Sequence, residues 1–383
     1  MLLLAASAGA LPHPNVIYIL ADDMNAELGV FGGPAVTPNL DRLASQGLAF
    51  PRAFCQISVC SPSRQSFLTG RRPDTHQVWN FIDANPLNTS AVPGYFREHG
   101  YLTLGLGKTF HEDAGAWNAG AYWNTSFLPY FNYSTNACPH GSEGGGHCSL
   151  PDSKIWDATL LNRSLSYLSA AASASRASGS PFFLMTGFRD PHAPWAAPPR
   201  MAALYEEAKI AVAQHPTLGK GTPLIAWSDQ LNVMLENGTS FPFAPYSPVP
   251  DWVARDQRHA YMAAISYVDE HVGALLALLE REGIENETLV IFHADHGYAT
   301  GQHGYWEKKA NFDAIVRVPL IIRVPGKAAT AGAKAATFID LVDVFPTLAA
   351  LAGLPLPPGV DGHDMSAAFD APEVVQKGEA FHQ

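Results

Sequence analysis

Two pairs of adjacent polar residues have the chemistry of a binding site for a divalent cation. Asp22-Asp23 and Asp295-His296 together offer three carboxylates and one imidazole. Carboxylate oxygens suit a hard cation such as Ca²⁺ or Mg²⁺, and a cation between two adjacent acids offsets their repulsion. The alternative is an acidic loop at the end of a domain. An imidazole is an unusual ligand for Ca²⁺, which leaves the role of His296 open.

A set of basic residues has the chemistry to bind an anion. The set is Arg64, Lys108, Lys308, His111 and His192. The chain as a whole is acidic, with 24 Lys and Arg against 35 Asp and Glu and a net charge of −11, which argues against a general nucleic-acid-binding protein. An anionic substrate would therefore need a local basic cluster, and this set suits a tetrahedral anion. Arg71 and Arg72 could equally be surface residues or partners of internal acids.

One cysteine lies in the stretch "VCSPSRQSFLTGRR", residues 59–72. Ser61 followed by Pro62 predicts a helix start, with Ser as the N-cap and Pro as the first helical residue, and Thr69-Gly70 predicts its end. A thiol at a helix N-terminus tends to be exposed and acidified. The pattern therefore predicts that Cys60 is an accessible, activated thiol.

The polar groups follow predicted strands. The strands are residues 15–20 before Asp22-Asp23, 101–107 before Lys108 and His111, 181–187 before His192, and 288–293 before Asp295-His296. Residues 319–326 form a further strand. Short apolar strands that alternate with helices are typical of an α/β fold, and in open α/β sheets the site lies at the carboxyl ends of the strands. We therefore expect one site at one edge of the sheet.

Three helices are predicted between and after these strands. Residues 37–47 have Thr as the N-cap, Pro as the first helical residue and Gly at the end. An apolar stripe from Tyr261 to Leu279, ended by Gly283, predicts a long core helix. The last helix covers residues 338–353, where Asp340 and Asp343 are expected to be first-turn acids rather than ligands.

The composition is that of a globular protein with many ordered loops. The 383 residues are 47% hydrophobic and include 32 Gly and 30 Pro, which allows one large domain or a large one with a small one. Residues 132–150 and 191–250 are rich in loops, and long loops on an α/β scaffold usually shape a substrate pocket.

Several features predict a secretory route. Residues 1–13 form an apolar segment that is typical of a signal peptide, with a frayed N-terminal tail as the alternative. No later apolar run is long enough to span a bilayer. Six N-x-S/T sequons add modest support, at Asn88, Asn124, Asn132, Asn162, Asn237 and Asn286.

The remaining cysteines have simple interpretations. Cys138 and Cys148 flank a glycine-rich loop, which favours a disulfide in an oxidising compartment. The alternative is a metal knuckle that also uses His140 and His147. Cys55 is expected to be a small buried hydrophobic residue.

The chain is identified as a member of the sulfatase family by its motifs. Residues 60–71 match the family signature C-x-P-S-R followed by T-G-R. The segments "GKTFH", "FRDPHAPW", "ADHGYATGQHGYWEKKANFD", "RVPLIIRVPG" and "LVDVFPTLAALAGL" resemble the iduronate-2-sulfatase group of that family. The resemblance runs from about Asn15 to the end of the chain.

The resemblance implies a fold and its divisions. It implies an alkaline-phosphatase-like α/β fold, in which helices sandwich a large mixed and mostly parallel sheet. It further implies a catalytic domain over residues 14–358. Residues 359–383 would then begin a smaller C-terminal antiparallel subdomain that is incomplete here.

The family mechanism would explain the cysteine. The resemblance implies that a formylglycine-generating enzyme oxidises Cys60 to Cα-formylglycine in the secretory pathway, so that no thiol remains. The aldehyde hydrates to a geminal diol, and one hydroxyl, activated by the metal, attacks the ester sulfur while the sugar alcohol leaves. The second hydroxyl helps to expel sulfate and restores the aldehyde. A sulfate ester of an ordinary serine or thiol has no second hydroxyl and would not complete this step.

The resemblance also implies individual roles. The metal, Ca²⁺ or alternatively Mg²⁺, would be held by Asp22, Asp23, Asp295, His296 and the modified Cys60. Arg64 would hold the diol, Lys108 and Lys308 would bind the sulfate, His111 would assist sulfate expulsion and His192 would donate to the leaving alcohol. A 2-sulfated uronate also needs a cation for its carboxylate, and Lys308 is the candidate, with Lys309 beside it.

Some alternatives stay open. Asp190 stands where the family commonly has Lys, which affects the expected substrate preference. The expected substrate is a sulfated polysaccharide or oligosaccharide met in a lysosomal or extracellular compartment. The competing hypotheses are a choline-sulfatase, a phosphonate monoester hydrolase, and a catalytically inactive sulfatase-like binding protein.

Overall fold

A computed structural model describes residues 13–81, 91–111, 122–124, 128–129, 138, 146–227 and 233–383. The predicted signal segment up to residue 12 lies outside the described residues, as do the sequons at Asn88 and Asn132 and the side chain of His140.

The centre of the molecule is an eight-stranded sheet in the order β14-β2-β13-β11-β1-β7-β4-β5. The strands in chain order are β1 (Asn15–Ala21), β2 (Leu48–Ala49), β3 (Ala53–Phe54), β4 (Leu102–Gly107), β5 (Leu128–Pro129), β6 (His147–Ser149), β7 (Phe182–Gly187), β8 (Trp195–Ala197), β9 (Val233–Met234), β10 (Ser240–Phe241), β11 (Thr288–Ala294), β12 (Arg317–Val318), β13 (Leu320–Arg323), β14 (Ala333–Lys334) and β15 (Ile339–Asp340). Within the large sheet only β13 runs against its neighbours. The sheet is therefore mixed and mostly parallel, which confirms the predicted fold class.

Nine α-helices surround the sheet in the described part of the chain. They are α1 (Pro38–Gln46), α2 (Cys60–Thr69), α3 (Pro73–His76), α4 (Val92–Glu98), α5 (Trp156–Ser178), α6 (Pro199–Ala202), α7 (Asp251–Glu282), α8 (Asp313–Val316) and α9 (Val344–Leu351). The helices predicted over residues 37–47 and up to Gly283 are α1 and α7. Gly283 has a φ of 70°, the left-handed conformation that commonly ends a helix.

Two contacts of β7 show that helices cover both faces of the sheet. The ring of Phe183 lies 4.7 Å from that of Phe96 in α4. The hydroxyl of Thr186 lies 2.9 Å from that of Ser164 in α5. Because residues three apart on a strand point to opposite faces, α4 and α5 lie on opposite sides. The fully buried central strands β1 and β11 form the core between these layers.

Two predicted helix starts are wrong. Helix α2 begins at Cys60, with extended Val59 as its N-cap, so Ser61 lies inside the first turn instead of capping it. The last helix begins at Val344 and not near residue 338, because β15 and a 3₁₀ turn (Leu341–Asp343) come first. Asp340 and Asp343 form a capping box at that turn, which agrees with their expected role as first-turn acids.

The prediction about bilayer-spanning runs also needs correction. Helix α7 is long and apolar enough to cross a bilayer by length and composition alone. However, 83% of its most apolar stretch is buried inside the protein, as in the core helix of a globular fold.

The last residues pack onto the same body. Residues 359–383 contain one 3₁₀ helix, Ser366–Phe369, and no strand. Lys377 donates to both Asp340 and Asp343, and the Phe381 backbone N–H donates to Asp340. The boundaries at residues 14–358 and 359–383 stay predictions.

Candidate active site

Four adjacent strands bring the predicted site residues to one edge of the sheet. Strands β11, β1, β7 and β4 are neighbours in that order and run parallel. Their registers align Ala21 with Ala294, and Gly107 with Gly187. The residues that follow each strand therefore emerge side by side, as expected from the sequence.

Two glycines permit the close approach of β4 and β7 at this edge. A Cβ atom on Gly187 would lie 2.2 Å from the carbonyl oxygen of Lys108, and one on Gly107 would lie 2.3 Å from the carbonyl oxygen of Gly187. The Lys108 backbone N–H donates to that same Gly187 carbonyl at 2.8 Å. The glycines thus fix where Lys108 enters the site.

Cys60 lies at the centre of the site. Its Sγ is 3.2 Å from Lys308 Nζ, 3.3 Å from His296 Nε2, 3.9 Å from Asp23 Oδ1 and 4.0 Å from Lys108 Nζ. The residue is only 1% exposed. Burial, reinforced by the charge of Asp22, raises the pKa of the thiol well above its ordinary value, although Lys108 and Lys308 oppose this. The prediction of an exposed, acidified thiol is therefore wrong, because the helix start is buried among carboxylates.

Three buried carboxylates are balanced by three buried cations. Asp22 pairs with Lys108, and the Arg64 guanidinium lies 3.0 Å from both Asp22 Oδ1 and Asp295 Oδ2. Asp23 Oδ1 is 2.8 Å from Lys308 Nζ. All six groups are at most 6% exposed. In this low-dielectric setting each charge needs its partner, so the six side chains hold one another in place.

Asp23 has an unusual backbone that its neighbours hold. Its φ is 62°, in the left-handed region that Asp tolerates better than most residues. Its N–H donates to Asp295 Oδ1 at 3.1 Å, and its carbonyl accepts the Tyr261 hydroxyl at 2.7 Å. This conformation turns the carboxylate towards Cys60.

Four of the predicted ligands could hold a metal ion together. Ligand atoms of Asp22, Asp23, Cys60 and His296 all lie within 4.8 Å of one another. His296 Nδ1 donates to the Gly297 carbonyl, so in the neutral imidazole Nε2 carries a lone pair, and it lies 3.6 Å from Asp23 Oδ1. Two facing acceptor atoms of this kind fit a cation between them.

Asp295 lies at the border of this group. Its Oδ1 accepts the N–H groups of Asp23 and His296, and its Oδ2 accepts Arg64 Nε at 3.1 Å. Its Oδ2 lies 3.8 Å from His296 Nε2. Its role as a ligand stays a prediction.

The two other histidines lie within electrostatic range of the site. Burial, followed by the charges of Lys108 and Arg64, lowers the pKa of His111 to about 3. Burial lowers the pKa of His192 well below its ordinary value, and Lys308 and Lys108 add to the effect. His192 Nδ1 lies 2.6 Å from the Ala193 carbonyl oxygen, which accepts, and 3.3 Å from Arg189 Nη2, which donates. The lowered pKa favours a neutral His192 imidazole around pH 7.

Asp190 lies in the loop of His192, and its carboxyl group is buried without a hydrogen-bond partner among the described residues. Neither of its carboxylate oxygens accepts a hydrogen bond within the described chain, and the residue is fully buried. Arg189 beside it contacts the carbonyls of Ala193 and Pro194 instead. Burial and the neighbouring Asp157 raise the pKa of Asp190 well above its ordinary value. The raised pKa favours the neutral form of the Asp190 carboxyl group.

Sequence reasoning missed two supporting residues. Asp157 in α5 accepts the backbone N–H groups of Arg189 and Asp190 and so orients the His192 loop. Tyr261 was assigned to the core stripe, yet its hydroxyl contacts the backbone of Asp23. A tyrosine in an otherwise aliphatic stripe was the available signal, because a buried hydroxyl needs a partner.

A disulfide lies close to the His192 loop. Cys138 and Cys148 are bonded, with Cα atoms 5.5 Å apart, so neither offers a free thiolate for the alternative metal knuckle. Cys148 in β6 pairs with Ala196 in β8, four residues after His192. His147 bonds to Asp256 at 2.8 Å. Cys55 is a buried free cysteine, as expected.

Known proteins are similar to this chain in sequence and in fold. The family model described as Sulfatase matches residues 14–354. Iduronate 2-sulfatase from Homo sapiens is 35% identical over 387 residues, covering 90% of this chain and 70% of that protein, and the Mus musculus protein is 34% identical over 90% and 69%. The crystal structure of a phosphonate monoester hydrolase from Agrobacterium radiobacter superposes with a TM-score of 0.77 at 22% identity, over 96% of this chain and 79% of that one. The chain belongs to the sulfatase family of sulfuric ester hydrolases.

Proposed function

We propose that this chain removes the 2-O-sulfate from iduronate-type uronic acid residues of a sulfated glycan, with Cys60 as Cα-formylglycine and a bound divalent metal. The position of Cys60 carries the proposal. Its Sγ lies within 4.0 Å of the Asp23 carboxylate, the His296 imidazole and the ammonium groups of Lys308 and Lys108. An oxygen at that place would meet metal ligands and anion-binding groups at once.

The residues present fit a divalent cation. Asp22, Asp23, His296 and the modified Cys60 would hold it, with Asp295 at the border, and the hard oxygen donors favour Ca²⁺ with Mg²⁺ as the alternative. When bound, such an ion acts as a Lewis acid that favours the deprotonated form of an oxygen nucleophile. The formylglycine hydrate would supply two hydroxyls, one for attack on sulfur and one for release of sulfate.

The protein's own cations would bind and stabilise the sulfate group. Lys108 and Lys308 lie 4.0 and 3.2 Å from Cys60 Sγ, where negative charge develops on the sulfuryl oxygens. Preorganised cations in a buried site stabilise such charge strongly. Arg64, which contacts both Asp22 and Asp295, would hold the nucleophile's surroundings rigid.

His192 would protonate the leaving alcohol, and His111 would assist sulfate release. In the free protein the pKa of His192 is lowered by burial and by the two lysines. A bound sulfate would offset the lysine charges and so raise that pKa, which favours the protonated imidazole in the complex. Substrate binding would thus favour the protonated form of His192, which is the form that can donate a proton.

Other observations support the compartment. The four described sequon residues, Asn124, Asn162, Asn237 and Asn286, are all exposed. The Cys138–Cys148 disulfide is typical of an oxidising environment. We propose a secretory route to a lysosomal or extracellular location, where a formylglycine-generating enzyme of that route modifies Cys60.

A choline-sulfatase is the second candidate because of Asp190. The carboxyl group of this acid is buried in the His192 loop with no hydrogen-bond partner in the described chain, and a cationic alcohol would offer the ionised form a partner. Iduronate 2-sulfatase relatives support the first candidate. The gathered and mutually paired site residues favour an enzyme over an inactive binding protein.

A panel of desulfation assays separates these functions. The substrates are a 2-sulfated uronate disaccharide, a 6-sulfated hexosamine, choline sulfate and a phosphonate monoester. We expect the highest kcat/KM on the uronate. Highest turnover of choline sulfate or the phosphonate would reject the glycan assignment, whereas highest turnover of the hexosamine would reject only the sugar. Asp190→Lys should shift the preference if Asp190 sets it.

A further inference from the structure

A cavity of about 540 Å³ is lined by residues that come just before Cys60 and just after Lys308 in the sequence. One wall consists of residues 57–59, directly before Cys60, and another of residues 309–312, directly after Lys308. Pro223, Ile225 and Ala226 add a third side. The volume is in the range of small-ligand sites. The cavity therefore adjoins the chain segments that carry Cys60 and Lys308, although neither of these two residues lines it.

Two hydrogen bonds fasten the first two walls together. The Lys309 backbone N–H donates to the Ser58 carbonyl at 3.2 Å, and the Ser58 hydroxyl donates to the Ala310 carbonyl at 3.1 Å. The cavity wall is thereby fixed relative to the start of α2. A ligand bound in the cavity would be held at a defined distance from Cys60.

The adjacent lysines Lys308 and Lys309 lie in different surroundings. Lys308 is buried, with its Nζ between Asp23 and Cys60 Sγ, so it belongs to the proposed sulfate-binding group. The side chain of Lys309 is 34% exposed, and this residue lines the cavity. Its φ of 68° is uncommon for lysine. The backbone turns at this residue, and the side chains of Lys308 and Lys309 lie in different surroundings.

Lys309 gives the cavity its charge character. Among the described side chains that line it, Lys309 alone is charged, and Ile57, Val59 and Phe312 are apolar. The carboxylate of Glu307, which is 3% exposed, lies 3.5 Å from Lys309 Nζ and anchors the ammonium. An apolar wall with one fixed cation suits a sugar ring that carries a carboxylate.

We propose that this cavity binds the sugar of an acidic glycan and that Lys309 binds the carboxylate of the uronic acid. Lys309 thus takes the role that the sequence suggested for Lys308, because Lys308 is already committed to Asp23 and Cys60. The inference rests on the proposed function and adds the residue that selects an anionic sugar.

The test compares a 2-sulfated uronate disaccharide with its carboxyl-reduced, uncharged counterpart. The unmutated enzyme should prefer the uronate, and Lys309→Gln should lose about tenfold of that kcat/KM ratio, mostly through KM. Lys309→Arg should keep the preference because it keeps the charge. Lys209→Gln is the matched control, since Lys209 is an exposed lysine that is paired with Glu206 and does not line the cavity.

Two results would overturn the proposal. Either Lys309→Gln keeps the ratio of the unmutated enzyme, or it lowers both substrates equally, as a sulfate-binding group would. A different result marks failure of the proposed function itself: the unmutated enzyme cleaves an aryl sulfate but neither disaccharide, and the inference then falls with it.

Discussion

Two regions of the molecule bury acids beside lysine and arginine but use them differently. The first, the catalytic edge, contains Asp22, Asp23 and Asp295, whose partners include the side chains of Arg64 and Lys308. The second, the Asp340 cluster, consists of Asp340, Asp343, Arg72 and Lys377. Both regions hold carboxylates that are fully or almost fully buried.

The Asp340 cluster is saturated by hydrogen bonds. Lys377 donates to both acids, Arg72 donates to Asp340 Oδ2 at 2.9 Å, and backbone N–H groups of His363 and Phe381 supply further bonds. Such an arrangement joins distant segments of the chain and gives each carboxylate oxygen of Asp340 and Asp343 a hydrogen-bond donor.

The catalytic edge differs because a buried imidazole and a cysteine converge on its acids. His296 Nε2, which carries a lone pair in the neutral imidazole, lies 3.6 Å from Asp23 Oδ1, and both atoms face Cys60. Acceptors that face each other are unfavourable without a cation between them. The comparison teaches that the partners of a buried acid, more than its burial, separate a structural acid from a candidate ligand.

Asp23→Asn gives the largest expected effect and tests this comparison directly. We expect a loss of kcat of about a thousandfold or more together with loss of the bound divalent ion, because a neutral amide is a poor ligand and no longer balances Lys308. Metal content after dialysis and turnover of an aryl sulfate are the measurements. Asp343→Asn is the matched control and should lower the free energy of unfolding by roughly 1–3 kcal/mol while keeping the metal. Equal metal loss in both variants would contradict the distinction.

His192→Asn should give a smaller effect that depends on the leaving group. A general acid matters most when the departing alkoxide is basic, so we expect a fall of about a hundredfold or more for the sugar sulfate and a much smaller fall for an aryl sulfate. Steady-state kinetics on both substrates measures this. An equal fall on the two substrates would show that His192 does not protonate the leaving group.

Asp190→Asn should give the smallest effect, and one that depends on pH. Burial and Asp157 raise the pKa of Asp190 in the folded state, so its favourable contribution to stability is present below the unfolded pKa of about 4 and is lost as pH rises through the folded value. The variant should therefore gain stability relative to the unmutated protein between pH 4.5 and pH 8, by roughly 1–3 kcal/mol. Urea unfolding at both pH values measures the gain. No change with pH would refute the neutral-acid assignment, and exposed Asp364→Asn serves as the control.

The positions of the site residues could be predicted from the sequence because they depend on the sheet. Parallel strands end at one edge, so groups that follow Ala21, Gly107 and Ala294 had to meet. The start of α2 could not be predicted, because Pro62 lacks an N–H and is compatible with any place in the first helical turn. In the structure the first turn of α2 begins at Cys60, two residues before Pro62.

The properties that depend on tertiary packing could not be predicted either. The pKa of Cys60 depends on burial among Asp22 and two lysines from distant segments. Lys308 is buried and Lys309 is partly exposed, and the positive φ of Lys309 is not indicated by any local pattern. Asp190 could be recognised as a departure from the family, but its lack of partners was visible only in the fold.

Mass spectrometry of the peptide that contains Cys60 tests the central claim most directly. The protein would be produced with a formylglycine-generating enzyme, and its turnover would be measured on the same preparation. We predict that the active protein carries an aldehyde or its hydrate at residue 60 and that Cys60→Ala has no turnover, while Cys55→Ala keeps both the modification and activity. Full activity in protein that retains an unmodified thiol at Cys60 would contradict the account.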